Sequence, residues 1–139
     1  MNHLYGEIVP GKRVGLYELG SSLEKITKQL CVPYIEKDAI DTIILETTGM
    51  SFFFDKRGEK PLIQITLFEG YKGSMFERIR IGSILSEFKD ELNYTLVEED
   101  NDCAFYSKTY SGLLLYCSGW DDDYTPIKFI SINQLSFGE

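Results

Sequence analysis

Hydrophobic spacing along the chain switches between two periods, and the switch happens twice. Leu23, Ile26 and Leu30 fall at i, i+3 and i+7, which predicts one apolar helix face. Leu85, Phe88 and Leu92 repeat that spacing 62 positions later. After each helical stretch come short apolar runs separated by turn residues. Residues 41–48, 50–55 and 61–68 read as an antiparallel meander, and residues 103–109, 112–117 and 126–132 read as a second. Val14–Leu19 and Phe76–Ile81, just before each helical stretch, are predicted as leading strands.

Punctuation residues support the same division. Ser21 and Glu24 have the spacing of a capping box, which starts the first helix, and Pro33 ends its run. In the second stretch Gly82-Ser83 opens the helix and Asn93 closes it. Asp55-Lys56-Arg57-Gly58 and Cys117-Ser118-Gly119 are hairpin signals, the second loop being three residues longer. Gly20, Ser21, Leu23, Leu30, Glu36, Asp38 and Thr47 each face an identical residue 62 positions on, which suggests a gap-free alignment of 19–55 with 81–117. The expected fold class is α+β: two tandem strand–helix–antiparallel meander repeats packed as one unit. Residues 1–70 form the first repeat and 71–139 the second, with the joint at 69–74. One copy of about 60 residues has a thin core, so the two are expected to share one.

The opening Gly-x-Ser/Thr-x-x-x-apolar resembles that of the tandem α/β repeats of beta-lactamase-inhibitor-protein-like folds, whose single-copy relatives occur in small outer-membrane assembly lipoproteins. Gly20, Ser22 and Ile26 match it in the first copy, and Gly82 and Phe88 in the second. Ile84 stands where the hydroxyl residue would be, so Ser83 is expected to cap instead.

Charge narrows the function classes. The chain of 139 residues carries 14 basic and 22 acidic side chains, a net −8, so phosphate backbones repel it and no nucleic-acid partner is expected. The excess is uneven: residues 1–70 sum to −2 and residues 71–139 to −6. No run approaches the length of a membrane span and no leader pattern is read at the start, so the expectation is a cytoplasmic protein with no membrane partner. Cys31, Cys103 and Cys117 make no even framework, and Cys31 and Cys117 read as small core residues.

Reactive chemistry is sparse. His3 is the only histidine and is expected to fray with the terminus, which leaves no positioned base for a Ser or Cys nucleophile. Scattered cysteines do not supply a zinc set, and Asp121-Asp122-Asp123 lacks the alternating oxygens of a calcium loop. No enzyme, metal or cofactor is expected. What stands out is a surface. Trp120, Asp121, Asp122, Asp123 and Tyr124 sit together at a hairpin tip, and Glu98, Glu99, Asp100 and Asp102 form a second acidic cluster placed in the loop after the second helix. Aromatic anchors beside charge suit a protein contact. In type (short, acidic, aromatic-rich, without a catalytic set) the chain resembles the small immunity proteins of bacterial toxin systems such as contact-dependent growth inhibition. That resemblance implies stoichiometric inhibition of a cognate protein toxin, a basic nuclease domain, through these nine residues. The alternative reading is a small-ligand-binding or assembly module using one face of the joined sheet.

Overall fold

A computed structural model describes residues 3–99, 102–117 and 123–134. The chain is mixed but mostly β, with eleven strands in two antiparallel sheets and two short α-helices among these residues. A small sheet comes first: β1 (Ile8–Val9), β2 (Arg13–Val14) and β3 (Tyr17–Glu18). Helix α1 (Leu23–Gln29) follows, then β4 (Ile35–Asp38), β5 (Thr42–Thr47), β6 (Met50–Asp55) and β7 (Leu62–Leu67). A 3₁₀ turn (Leu85–Phe88) runs into α2 (Lys89–Leu92), then β8 (Tyr94–Glu99), β9 (Asp102–Ser107), β10 (Leu113–Cys117) and β11 (Ile127–Asn133). The order in the large sheet is β4-β5-β6-β7-β11-β10-β9-β8, so two four-stranded meanders meet at the β7–β11 pair.

The apolar faces pack as their spacing predicts. Ile26, Leu85 and Leu92 are fully buried against the inner rungs of the sheet, including Phe52, Ile65, Leu115 and Ile130. One hydrophobic cluster contains residues of both meanders. Helix α1 is capped by Ser22, whose Oγ accepts from Lys25 N at 3.1 Å, and not by the predicted Ser21. Ser21 N instead donates to Glu18 O and Ser21 O accepts from Leu62 N, so that residue belongs to the turn. Ser83 does not cap either: its Oγ accepts from Arg80 N at 3.0 Å, while Ile84 stands at the helix start without a side-chain bond. Asn93 ends α2 in the left-handed region, as read from the sequence.

Other expectations fail for identifiable reasons. Val14–Leu19 is not one strand, because Gly15 turns at φ +58° and splits it into β2 and β3. Phe76–Ile81 is not a strand, since Phe76 and Glu77 adopt positive φ and Met75 and Ile79 exchange backbone hydrogen bonds across the resulting turn. Strands β4 and β8 were not anticipated. The joint at 69–74 is packed, not a spacer: Tyr71 is buried and donates its hydroxyl to Gly6 O, and a Cβ on Gly73 would stand 2.1 Å from that same oxygen. Cys117 is buried, but Cys31 lies past the end of α1 and is exposed.

The two halves repeat several contacts. Gly20 N donates to Leu62 O and Gly82 N to Ile127 O, both at 2.8 Å. Leu62 N donates to Ser21 O and Ile127 N to Ser83 O, again at 2.8 Å. Bridges Ser22–Pro61 and Ile84–Pro126 match in turn. The gap-free alignment does not survive, however. Leu45 pairs with Phe52 and Phe105 with Leu115, so equivalent rungs on β5 and β9 are 60 residues apart, and those on β6 and β10 are 63 apart. Glu36, opposite Leu45, corresponds to Leu96, opposite Phe105. The identities of Glu36 with Glu98, Asp38 with Asp100 and Thr47 with Thr109 are therefore not structural equivalences.

Candidate functional site

Strand direction decides where the acidic segments lie. Strand β8 ends at Glu99 and β9 begins at Asp102, and the two are register partners. Strand β10, antiparallel to β9, ends at Cys117, and β11 begins at Ile127. Both connections thus leave the same end of the sheet, from adjacent hairpins about 5 Å apart per strand. The cluster's described residues belong to the paired ends of β8 and β9, rather than to a loop after the helix. Its predicted residues Glu98, Glu99 and Asp102 are strand residues, whereas Asp100 lies outside the described residues. Trp120, Asp121 and Asp122 also lie outside them.

Asp123 and Tyr124 are described, and they diverge. Tyr124 is 72% exposed. The Asp123 side chain is turned inward, only 15% exposed. Its Oδ2 accepts from the Tyr94 hydroxyl at 2.5 Å and stands 3.8 Å from Lys89 Nζ. Its backbone carbonyl accepts from Ser86 N at 2.9 Å. Asp123 therefore ties the long connection to the 3₁₀ turn, to α2 and to β8. Burial, then the bond to Asp123, pushes the Tyr94 hydroxyl well above its usual range, so it remains a donor. Sequence reasoning missed Tyr94 and Lys89 as the partners of this acid. The available signal is that Tyr94 directly follows Asn93, the residue that ends α2, with Lys89 one helical turn before it.

Because β7 and β11 are antiparallel, the corresponding connections of the first half leave the opposite end. That end holds Asp38, Asp41, Asp55, Lys56, Arg57, Glu59 and Lys60, four acids and three bases. Lys56 Nζ lies 3.5 Å from Asp38 Oδ1 and Arg57 Nη2 lies 2.7 Å from Asp55 Oδ2. The second half's connections, 98–102 and 118–126, hold seven acids and no base.

The face of the large sheet turned from α1 bears on the small-ligand reading. Gln64, Thr66, Ser131 and Asn133 line up across its centre. They bond one another: Gln64 Nε2 donates to Thr66 Oγ1 at 2.9 Å, and Thr66 Oγ1 and Asn133 Nδ2 each donate to Ser131 Oγ at 3.3 Å. These groups satisfy each other in place. No cluster of three metal-ligating side chains is found among the described residues, and no described helix is long and apolar enough to cross a membrane.

No family model, no curated protein and no solved structure matches the chain.

Proposed function

We propose that the chain is an immunity-type inhibitor that binds and neutralises a cognate protein toxin in the cytoplasm. The partner is a basic nuclease domain, and the acidic end of the sheet enters its substrate cleft. The observation that carries this reading is the charge contrast between the ends: six carboxylates besides the inward-turned Asp123 in the two connections at one end, against four acids, three bases and two internal ion pairs at the other. A cleft built for phosphate attracts such an end at long range, and steering of this kind raises association toward about 10⁸ M⁻¹s⁻¹ or more at low salt. Trp120 and Tyr124 supply the aromatic anchors that slow dissociation. Glu98, Glu99, Asp100, Asp102, Asp121 and Asp122 supply the field, and Asp123 holds the longer connection in place.

The scaffold in this reading is a tandem repeat. The matched Gly20 and Gly82 bonds and the matched proline bridges support a duplicated helix–meander unit whose loops diverged afterwards. The test is protection. Expression of the chain in cells producing a nuclease toxin domain encoded beside it should restore growth, and the two purified proteins should form a one-to-one complex. Growth arrest despite full expression, with no complex by sedimentation, removes the proposal.

A further inference from the structure

The large sheet has two outer edges, β4 and β8, and they differ in what they offer a further strand. Lys108 N donates to Asn93 O at 2.9 Å, one rung before the Tyr94–Ser107 pair. Directly bonded rungs alternate along an antiparallel ladder. Thr95, Val97 and Glu99 therefore bond to β9, and Tyr94, Leu96 and Glu98 turn their N–H and C=O groups outward. Among the described residues, no backbone group reaches that outer side. The edge runs for six residues without a proline. Leu96, near its middle, is a partly buried side chain packed against the core, and Thr95 is exposed on the other face.

The β4 edge is shorter and guarded. Ala39 N donates to Thr42 O at 2.8 Å, so the same alternation turns only Glu36 and Asp38 outward within four residues. Lys37 Nζ lies 2.9 Å from Glu46 Oε1 and Asp38 is paired with Lys56, so charges of both signs balance along it. The start of the chain packs beside this edge. His3 is not frayed: its Nδ1 lies 2.9 Å from the Tyr17 hydroxyl and its Nε2 lies 3.0 Å from Thr47 Oγ1, one rung beyond the Ile35–Glu46 pair. Strand β8 instead runs toward acids. Glu98 and Glu99 close it, Asp102 opens β9, and residues 98–102 hold no base. Free main-chain groups on an edge select an extended segment, and an uncompensated acidic end selects a basic one.

We propose that β8 accepts an extended, basic segment of a protein partner as a ninth strand, its main chain bonded to Tyr94, Leu96 and Glu98. Lys or Arg residues of that segment stand beside Glu98 and Glu99, and an apolar residue stands beside Leu96. A second copy of this chain is the poorer occupant, because each copy carries −8 and brings a further Glu98 and Glu99 to the seam. Assigning the segment to a toxin rests on the inhibitor reading; the edge itself does not.

The hexapeptide acetyl-Arg-Lys-Thr-Val-Thr-Ile-amide tests it, lying antiparallel with its arginine opposite Glu99 and its valine opposite Leu96. Added to the full-length protein at about 2 mM, it should shift the backbone amide resonances of Tyr94 and Leu96 and leave those of Glu36 and Asp38 in place. The valine N–H faces Leu96, so N-methylation there should weaken binding by about tenfold. The N–H of the second threonine faces water, and N-methylation there should change affinity by less than about twofold. Replacing the arginine and lysine of the peptide by glutamates should abolish binding. Glu98→Gln with Glu99→Gln should weaken binding of the basic peptide by about fivefold. No shift at β8, equal shifts at both edges, or equal losses from the two N-methyl groups overturn strand addition. Equal binding of the acidic peptide overturns the choice of a basic segment. Absence of growth protection while the peptide still binds overturns the toxin assignment alone.

Discussion

The two ends of the large sheet are built from equivalent hairpins and treat charge in opposite ways. Where β4–β5 and β6–β7 turn, acids sit beside bases, and two ion pairs absorb the field locally. Where β8–β9 and β10–β11 turn, acids accumulate without bases in the connecting segments. The strands beneath are alike in length and pairing, so the scaffold does not require this difference. Folding stability alone favours the first arrangement, because like charges crowded at one end repel. Under the proposed inhibitor reading, a basic partner is what relieves that repulsion.

The largest expected effect follows from reversing that field. Asp121→Lys with Asp122→Lys should slow association with a basic partner by about 10- to 100-fold at low salt and flatten its salt dependence. Asp41→Lys with Glu59→Lys makes the same change in net charge at the other end and should leave the rate within about twofold. Stopped-flow association at several ionic strengths reads both. Equal slowing by the two pairs would mean that net charge, not its placement, governs the encounter, and the contrast between ends would lose its functional meaning.

Much of this architecture was legible because it rests on local physics. The i, i+3, i+7 face of α1, the turn at Asp55–Gly58 and Asn93 as a helix end each depend on a few neighbouring residues, and each is found, whereas the second helical stretch is a 3₁₀ turn followed by the short α2. The failures depend on distant partners. FERIRI at 76–81 reads as a strand from the repeat pattern, yet positive φ at Phe76 and Glu77 folds it back. Residues 35–38 carry a charge at three of four positions and are all exposed, so no buried face announced β4. Identity at 62-residue spacing misled at Glu36, Asp38 and Thr47, because turns of different length shift the register and letters do not record that. At the candidate site, three consecutive aspartates read alike, whereas Asp123 meets Tyr94 and Lys89 only once α2 and β8 are in place.

Asp123 gives the next effect in size and separates holding from steering. Asp123→Ala leaves the part-buried Tyr94 hydroxyl without its acceptor and frees the long connection from β8. A loss of about 1.5–3 kcal/mol is expected, the range for a hydrogen bond to a charged group. Asp123→Asn keeps an acceptor and should recover most of that loss. Urea denaturation measures both. If Asp123→Ala is as stable as the parent while association slows as far as in the Asp121/Asp122 variant, Asp123 belongs with the steering charges after all.

Helix starts differ between the halves as well. Ser22 caps α1, whereas the second helical stretch begins at Ile84 with no side-chain bond. Ser22→Ala should cost about 1 kcal/mol. Ser83→Ala should cost less, because Ser83 Oγ accepts from Arg80 N in the preceding turn and not from a helix N–H. Equal losses in denaturation would show that Ser83 does the work of a cap by another route.

The smallest effect tests whether the first end really neutralises itself. Asp55 accepts from Arg57 Nη2 at 2.7 Å and from Nε at 3.0 Å, and its Oδ1 also accepts from Arg57 N at 2.9 Å. The side-chain bonds, then the backbone bond, hold its carboxyl down at about 2, against an ordinary 3.8. A lowered carboxylate contributes stability above its unfolded value and loses that contribution as pH falls from about 3.8 through about 2. The Arg57 side chain is 89% exposed, so water screens the pair and neutral-pH stability should hardly register its removal. Arg57→Leu should raise the Asp55 midpoint, read from its carboxyl carbon in an NMR titration, but not fully to 3.8, because the backbone N–H of residue 57 still donates. A midpoint unmoved near 2 would assign the effect to the turn alone. The first end would then carry a carboxylate held by backbone geometry, and its quietness toward a basic partner would need another cause than the ion pair.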